Sequence, residues 1–336
     1  MERADEVAAA LQSYAVIDPP SSILVVKPSS LGDIVHTLPA VALIRKIWPE
    51  ARLQWLVNSE WAPLIEGNPY VDATVDFPRR SFRGLAGSIS AAHWSAALQK
   101  NISADLVLDF QGLLRSALLS KLGRAEQGRI FGLSDAREGA RLFYDEIVDV
   151  SGKSHAVDRY LAMASALGAE ITQPLEWPLP TGTPPDAEVP ERFVLLHPYS
   201  RGVGKSLTAA EVERFCQAIA PIPVVLAGVA KELPAAPPGV FDLVNKTSIS
   251  ELIWLLRRAA FVVSVDSGPM HIAAALTSRL LSIHTWSDPR RVGPYQEDAW
   301  VWKKGELCQV KELESEEGQQ QLPEMGDVAE WVAGQV

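Results

Sequence analysis

Short runs that are apolar at almost every position alternate with longer stretches whose apolar residues recur at helical spacing. Ile23–Val26, Leu53–Val57, Ala73–Val75 and Leu106–Leu108 have the length and content of strands, and Ile34–Ile47, Gly84–Gln99 and Leu113–Leu122 have the spacing of helices. A strand with no polar face is buried on both sides. The pattern therefore predicts a parallel sheet between two helix layers. The rhythm stops over 171–191, where Pro174, Pro178, Pro180, Pro184, Pro185 and Pro190 remove backbone donors and resist helix, so this stretch reads as a linker. It then restarts. Phe193–His197, Val224–Leu226, Leu243–Asn245, Phe261–Val265 and Leu280–His284 predict strands, with helices over Thr208–Ile219, Ile249–Ala259 and Met270–Ala275 and a short last helix over Val328–Ala333.

The expectation is an α/β chain of two doubly wound, Rossmann-like domains facing across a cleft. Residues 1–22 form an N-terminal extension with a short helix over Val7–Ile17, 23–172 the first domain, 173–191 the linker and 192–336 the second domain. Ligands in such folds sit at the C-terminal ends of the strands.

Composition narrows the chemistry. Over 336 residues, Lys and Arg number 31 and Asp and Glu 41, a net charge of −10 that argues against a nucleic-acid partner. The tightest basic cluster, Arg79, Arg80 and Arg83 around Phe82, is either a solvated loop or a landing site for an anionic substrate. Two cysteines, Cys216 and Cys308, are too few for a disulfide scaffold, and with a charged, largely acidic start they point to the cytoplasm.

Two runs carry the candidate chemistry. In Lys27-Pro-Ser-Ser-Leu-Gly-Asp-Ile-Val-His36 a strand ends and a helix begins. Ser30 and Asp33 fit a helix cap there, and Asp33 also fits a general base held at the strand edge. In Val265-Asp-Ser-Gly-Pro-Met-His271 a strand feeds a tight turn and a helix. Gly268 permits close backbone approach, Pro269 suits the first helical position, and the helix start is an anion site. Further strand ends offer Arg201 and Lys205 for a diphosphate, Glu232 for a ribose, and Gln111 and Arg115 in the first domain. Ser267 lacks the Gly-x-Ser-x-Gly elbow of a hydrolase. No dinucleotide or P-loop glycine pattern is present, and no metal-ligand spacing, so no metal is expected.

Taken together these runs resemble the bacterial ADP-heptose:lipopolysaccharide heptosyltransferases, glycosyltransferase family 9. Ser29-Ser-Leu-Gly-Asp33 with His36, Leu38 and Pro39 resembles the family's opening motif, Asp109-Phe-Gln-Gly-Leu113 a second, and Asp266-Ser-Gly-Pro-Met-His271 the most diagnostic one. Asp288-Pro289 and Gly293-Pro-Tyr295 resemble the closing segment. The resemblance implies the GT-B fold and an inverting, metal-independent transfer of heptose from ADP-heptose to an inner-core acceptor, with Asp33 as base. It implies donor binding in the second domain by Tyr199, Ser200, Arg201, Lys205, Glu232, Thr247, Asp266, Ser267, Gly268 and His271. Acceptor contacts in the first domain fall to Ser30, Gly32, Arg79, Arg80, Arg83, Gln111 and Arg115. The partners so implied are a nucleotide sugar and an anionic glycolipid at the inner leaflet, reached with at most peripheral membrane contact. Lys205 is followed by Ser206-Leu-Thr208 where the family has Trp-Pro, and His284-Thr-Trp-Ser287 replaces a Gly-Pro-Thr turn. Another nucleotide sugar or acceptor, such as a protein hydroxyl, and a non-catalytic nucleotide-sugar binding module remain as alternatives.

Overall fold

Among the described residues, six strands and four long helices follow one another in the first half of the chain. They are β1 (Ser22–Val26), α1 (Leu31–Ile47), β2 (Arg52–Asn58), β3 (Ala73–Phe77), α2 (Gly84–Asn101), β4 (Ala104–Asp109), α3 (Leu114–Gly123), β5 (Arg124–Leu133), β6 (Glu146–Val148) and α4 (Ala156–Ala166). The computed structural model describes residues 18–153, 155–202, 204–230, 236–237, 239–285, 287–303, 305–313 and 324–336. The helix expected over Val7–Ile17 and the candidate Glu232 lie outside the described residues. The strands pair in parallel in the order β3-β2-β1-β4-β5-β6. β1 is flanked on both edges and covered on both faces, so Leu24, Val25 and Val26 are fully buried. Trp55 is equally buried in β2, and its indole N–H donates to the Lys27 carbonyl (3.2 Å), which pins the end of β1 to its neighbour.

The second half repeats the plan with β7 (Val194–His197), α5 (Ala209–Ala218), β8 (Val224–Gly228), β9 (Phe241–Val244), α6 (Ile249–Arg258), β10 (Phe261–Val265), α7 (Gly268–Leu276), β11 (Leu280–His284), the single turn α8 (Pro289–Val292), β12 (Trp300–Lys303), β13 (Glu306–Gln309) and α9 (Met325–Ala333). The sheet order is β13-β12-β11-β10-β7-β8-β9, parallel except for the antiparallel edge pair β12/β13. Its core joins Val194, Leu196, Phe215, Val263 and Leu281 to Val328 and Val332 of α9. Thr208 and Ser248 open α5 and α6 with capping boxes completed by Glu211 and Glu251.

The chain divides into two compact units between Pro178 and Leu179. The proline-rich stretch is anchored to the unit on each side of that division. Glu176 accepts from Lys46 and Tyr70, and Asn68 donates to the Pro178 carbonyl (3.2 Å). Arg257 donates to the carbonyls of Leu179 (2.8 Å) and Pro180 (2.9 Å). Among the described residues no helix is long and apolar enough to cross a membrane.

Candidate active site

In both sheets the strand order reverses direction beside the first strand of the unit, between β1 and β4 and between β7 and β10. At such a switch point the following loops diverge and leave a crevice at the C-terminal strand ends. Both candidate runs lie there.

In the first unit β1 delivers Lys27 and α1 begins at Leu31. Ser30 and Asp33 form a reciprocal capping box. The Asp33 Oδ2 accepts from the Ser30 N–H (3.1 Å) and hydroxyl (2.7 Å). The cap and the candidate base are thus one arrangement, because the second oxygen has other work. Asp33 Oδ1 accepts from the Tyr160 hydroxyl (3.1 Å) and lies 3.9 Å from the Lys27 ammonium. Lys27 is buried and donates to Tyr160 (2.8 Å) and to the Phe110 carbonyl (2.9 Å). Burial works to raise the Asp33 pKa, but the Lys27 charge and the Ser30 hydrogen bonds outweigh it and hold the carboxyl well below the usual carboxylate range. Burial works to lower the Lys27 pKa, and Tyr160 and Asp33 outweigh it, so the ammonium stays charged. The Asp33 side chain remains 35% exposed, so an ionised carboxylate is reachable from solvent.

β4 supplies the neighbouring loop. The buried carboxylate of Asp109 accepts from the N–H groups of Gln111 (2.9 Å) and Gly112 (3.1 Å) and from the Ser116 and Tyr144 hydroxyls (both 2.8 Å). That cluster fixes the loop, and Gln111 then accepts from the Ser29 N–H (3.2 Å), tying the two strand ends together. Gly32 is buried at the start of α1, and Arg115 is exposed at the start of α3. Arg79, Arg80 and Arg83 are not part of this group. They follow β3, two strands away, about 10 Å across the sheet. All three are exposed, and Arg80 is paired with Glu60.

In the second unit the loops after β7 and β10 are cross-braced. The Lys205 ammonium meets Asp266 Oδ2 at 2.5 Å, and the Ser200 hydroxyl donates to the Asp266 carbonyl (2.9 Å). Ser267, the N-cap of α7, has its hydroxyl 3.3 Å from His197 Nδ1. Burial works to raise the Asp266 pKa, but the neighbouring His284 and the hydrogen bonds from Lys205 and Ser287 hold it below its ordinary value. Burial pulls His197 and His284 down to about 4, so both are neutral at pH 7. Gly268 and Pro269 open α7, whose positive dipole end points out of the turn, and His271 lies in its first turn, partly exposed. Arg201 is exposed, while Tyr199 is partly buried with its hydroxyl pKa raised by burial and by Asp242. Tyr199 packs on Gly228, where a Cβ would lie 3.0 Å from its ring. Thr247 sits beyond β9, away from the switch point. There the Asn245 side chain clasps the Ala230 N–H (3.0 Å) and carbonyl (2.8 Å). After Lys205, Ser206 hydrogen-bonds with the Ser200 N–H (2.9 Å) and carbonyl (3.2 Å), and Leu207 is core. These replacements therefore anchor the loop. Among the described residues no cluster of His, Cys, Asp and Glu could hold a metal ion.

Sequence reasoning passed over Lys27 and Tyr160. A lysine continuing a fully apolar strand is a usable signal, because a buried ammonium needs partners. Tyr160 reaches Asp33 from 127 positions away and has no local signature.

Two Rossmann-like halves, each with its polar residues at the switch point, define the GT-B class of glycosyltransferases. The description "Glycosyltransferase family 9 (heptosyltransferase)" matches residues 94–193 and 222–321, and the chain belongs to that family and is a glycosyltransferase. It is 28% identical to lipopolysaccharide heptosyltransferase 1 of Escherichia coli K12 over 304 residues, covering 83% of this chain and 92% of that one. It is 25% identical to the lipopolysaccharide core heptosyltransferase OpsX of Haemophilus influenzae over 297 residues, 82% of each. The E. coli heptosyltransferase WaaC solved with ADP-2-deoxy-2-fluoro heptose superposes with a TM-score of 0.70 at 27% identity, over 84% of this chain and 93% of that one.

Proposed function

We propose that this chain moves a heptose from ADP-heptose to a hydroxyl of the lipopolysaccharide inner core, with inversion, without a metal and with Asp33 as general base. The observation that carries the reading is the Asp33 carboxylate: ionised by Lys27, aimed by Ser30 and Tyr160, and still open to solvent at the end of β1. The acceptor hydroxyl donates to that carboxylate. Its oxygen forms a bond to the anomeric carbon on the face opposite the phosphate, the carbon–phosphate-oxygen bond breaks, and the proton passes to Asp33. A carboxylate with a depressed pKa is a modest base. Its larger contribution is orienting the hydroxyl, whose proton becomes acidic as the new bond forms. In the second unit Lys205 and the start of α7 meet the charge growing on the ADP leaving group. Asp266, Ser267, Gly268 and His271 position the diphosphate and sugar. Tyr199, Ser200, Arg201, Thr247 and Glu232 serve the rest of the donor.

The first unit is the acceptor side, where Ser30, Gly32 and Gln111 adjoin the base, Arg115 stands at the start of α3, and Arg79, Arg80 and Arg83 offer charge to acceptor phosphates or carboxylates further along the edge. The named activities of the relatives and the donor analogue held by WaaC support this substrate pair. The protein then works at the cytoplasmic face of the membrane, where its glycolipid acceptor is exposed.

The test is an ADP-release assay with excess chelator, a core-oligosaccharide acceptor, and a panel of ADP- and UDP-sugars, followed by NMR of the product. The reading requires release from ADP-heptose only, undiminished by chelator, with the anomeric configuration inverted. Retention, loss with chelator, or preference for another donor would overturn the corresponding part.

A further inference from the structure

The first unit carries an apolar strip that its fold does not use. Leu114 and Leu118 stand one turn apart on α3 and are 39% and 45% exposed, and Leu142, in the turn Ala140–Phe143, is 87% exposed. Single exposed leucines are ordinary; three on adjoining elements are not. The elements are held side by side. The Arg137 N–H donates to the Gly112 carbonyl (2.8 Å), the Leu114 N–H to Glu138 (3.3 Å), and the Lys121 ammonium lies over the Phe143 ring at 5.9 Å.

Cations surround the strip. Arg115, Lys121, Arg137 and Arg141 are exposed. Of the nearby carboxylates, Glu138 accepts the Leu114 amide and Asp135 is paired with Arg159 at 3.1 Å. This local positive excess stands on a chain whose net charge is −10. We infer that the outer face of α3 with the turn Ala140–Phe143 docks on an anionic lipid surface, its leucines entering the acyl boundary and its cations meeting headgroups. That pairing of apolar and basic side chains is the pattern of interfacial insertion. A second copy of this face is the poorer occupant, because a two-fold contact would oppose the same cations. The surface adjoins the candidate site, since α3 begins three positions after Gln111. The inference concerns lipid binding alone and stands apart from the chemistry proposed above.

Sedimentation of the full chain with vesicles tests it. The expected result is binding to vesicles of equal parts phosphatidylglycerol and phosphatidylethanolamine, weakened by salt and absent on phosphatidylcholine. The double substitution Leu118→Glu/Leu142→Glu should lower the partition coefficient by at least about ten-fold. Lys121→Glu/Arg141→Glu should lower it several-fold, with Ile171→Glu, at an exposed apolar site elsewhere, as the unchanged control. Unaltered thermal unfolding would show that the variants fold. No binding by the parent chain, equal binding to phosphatidylcholine, or variants that bind like the parent would overturn the inference. So would a concentration-dependent dimer abolished by the leucine substitutions, which would assign the face to a second copy.

Discussion

Replacing Lys27 with Met removes the charge that keeps Asp33 ionised while keeping the length of a buried side chain. At 3.9 Å the ammonium and carboxylate attract by about 4 kcal/mol at an effective dielectric of ~20. Because 35% of the Asp33 side chain reaches solvent, screening reduces this to about 2 kcal/mol, or ~1.5 pKa units. Without Lys27, burial is the largest remaining influence, and it pushes the Asp33 pKa up. The native pKa of Asp33 lies below its ordinary 3.8, so the pair's stabilisation is complete above about pH 4 and is lost as pH falls through the folded value. The Met variant should therefore be less stable at neutral pH by about 2 kcal/mol and should lose less on acidification. Its kcat/KM should acquire an acid limb ~1.5 units higher than that of the parent chain, because Asp33 now protonates closer to neutrality. Single-turnover ADP release after brief pH jumps that reach down to about pH 2 reads the limb, and urea unfolding at matched pH reads the stability. Acid limbs that coincide in the two proteins would refute the coupling of Lys27 to the base.

Three further outcomes follow from the second unit. Lys205→Ala leaves the buried Asp266 carboxylate facing the diphosphate alone, and the ADP dissociation constant by calorimetry should rise about 30-fold, equivalent to ~2 kcal/mol; a change under about three-fold would contradict the phosphate role. Gly228→Ala puts a methyl 3.0 Å from the Tyr199 ring and 3.1 Å from His197 Nε2 at a φ of +141°, and should cost about 1–3 kcal/mol of stability and weaken ADP binding; unchanged affinity would remove Tyr199 from the donor pocket. His197 and His284 titrate near 4 when folded against 6.5 when unfolded, so the unfolded chain binds more protons between those values. Urea stability should fall as pH drops from about 6.5 to about 4, and less steeply in His284→Gln; a flat profile would show that these rings are not buried neutral.

The strands buried on both faces were legible in the sequence because nothing polar interrupts them. β5 was not, because it opens Arg-Ala-Glu-Gln, and its outer half is partly exposed. The edge strand β13 was missed because its positions are partly exposed, and the four-residue β12 because Trp300 and Lys303 at its ends are only partly buried. Leu243–Asn245 was placed one residue too far, since Asn245 turns to φ +59° to clasp Ala230. The turn after β10 could be read locally because glycine, proline and a strand end fall within a few positions. The ion pair of Lys205 with Asp266 could not, since it joins positions 61 apart. The acidic cluster of hydrogen bonds at Asp109 shows the same limit, where a motif residue proved to be a fastening for Gln111.

The most direct measurement sets transfer against donor affinity in one variant, Asp33→Ala. If the β1 carboxylate accepts the acceptor's proton, the variant should retain ADP affinity within about two-fold by calorimetry and lose at least ~10³ in kcat, with its fold confirmed by thermal unfolding. Transfer within ten-fold of the parent chain, or a parallel collapse of ADP binding, would contradict it.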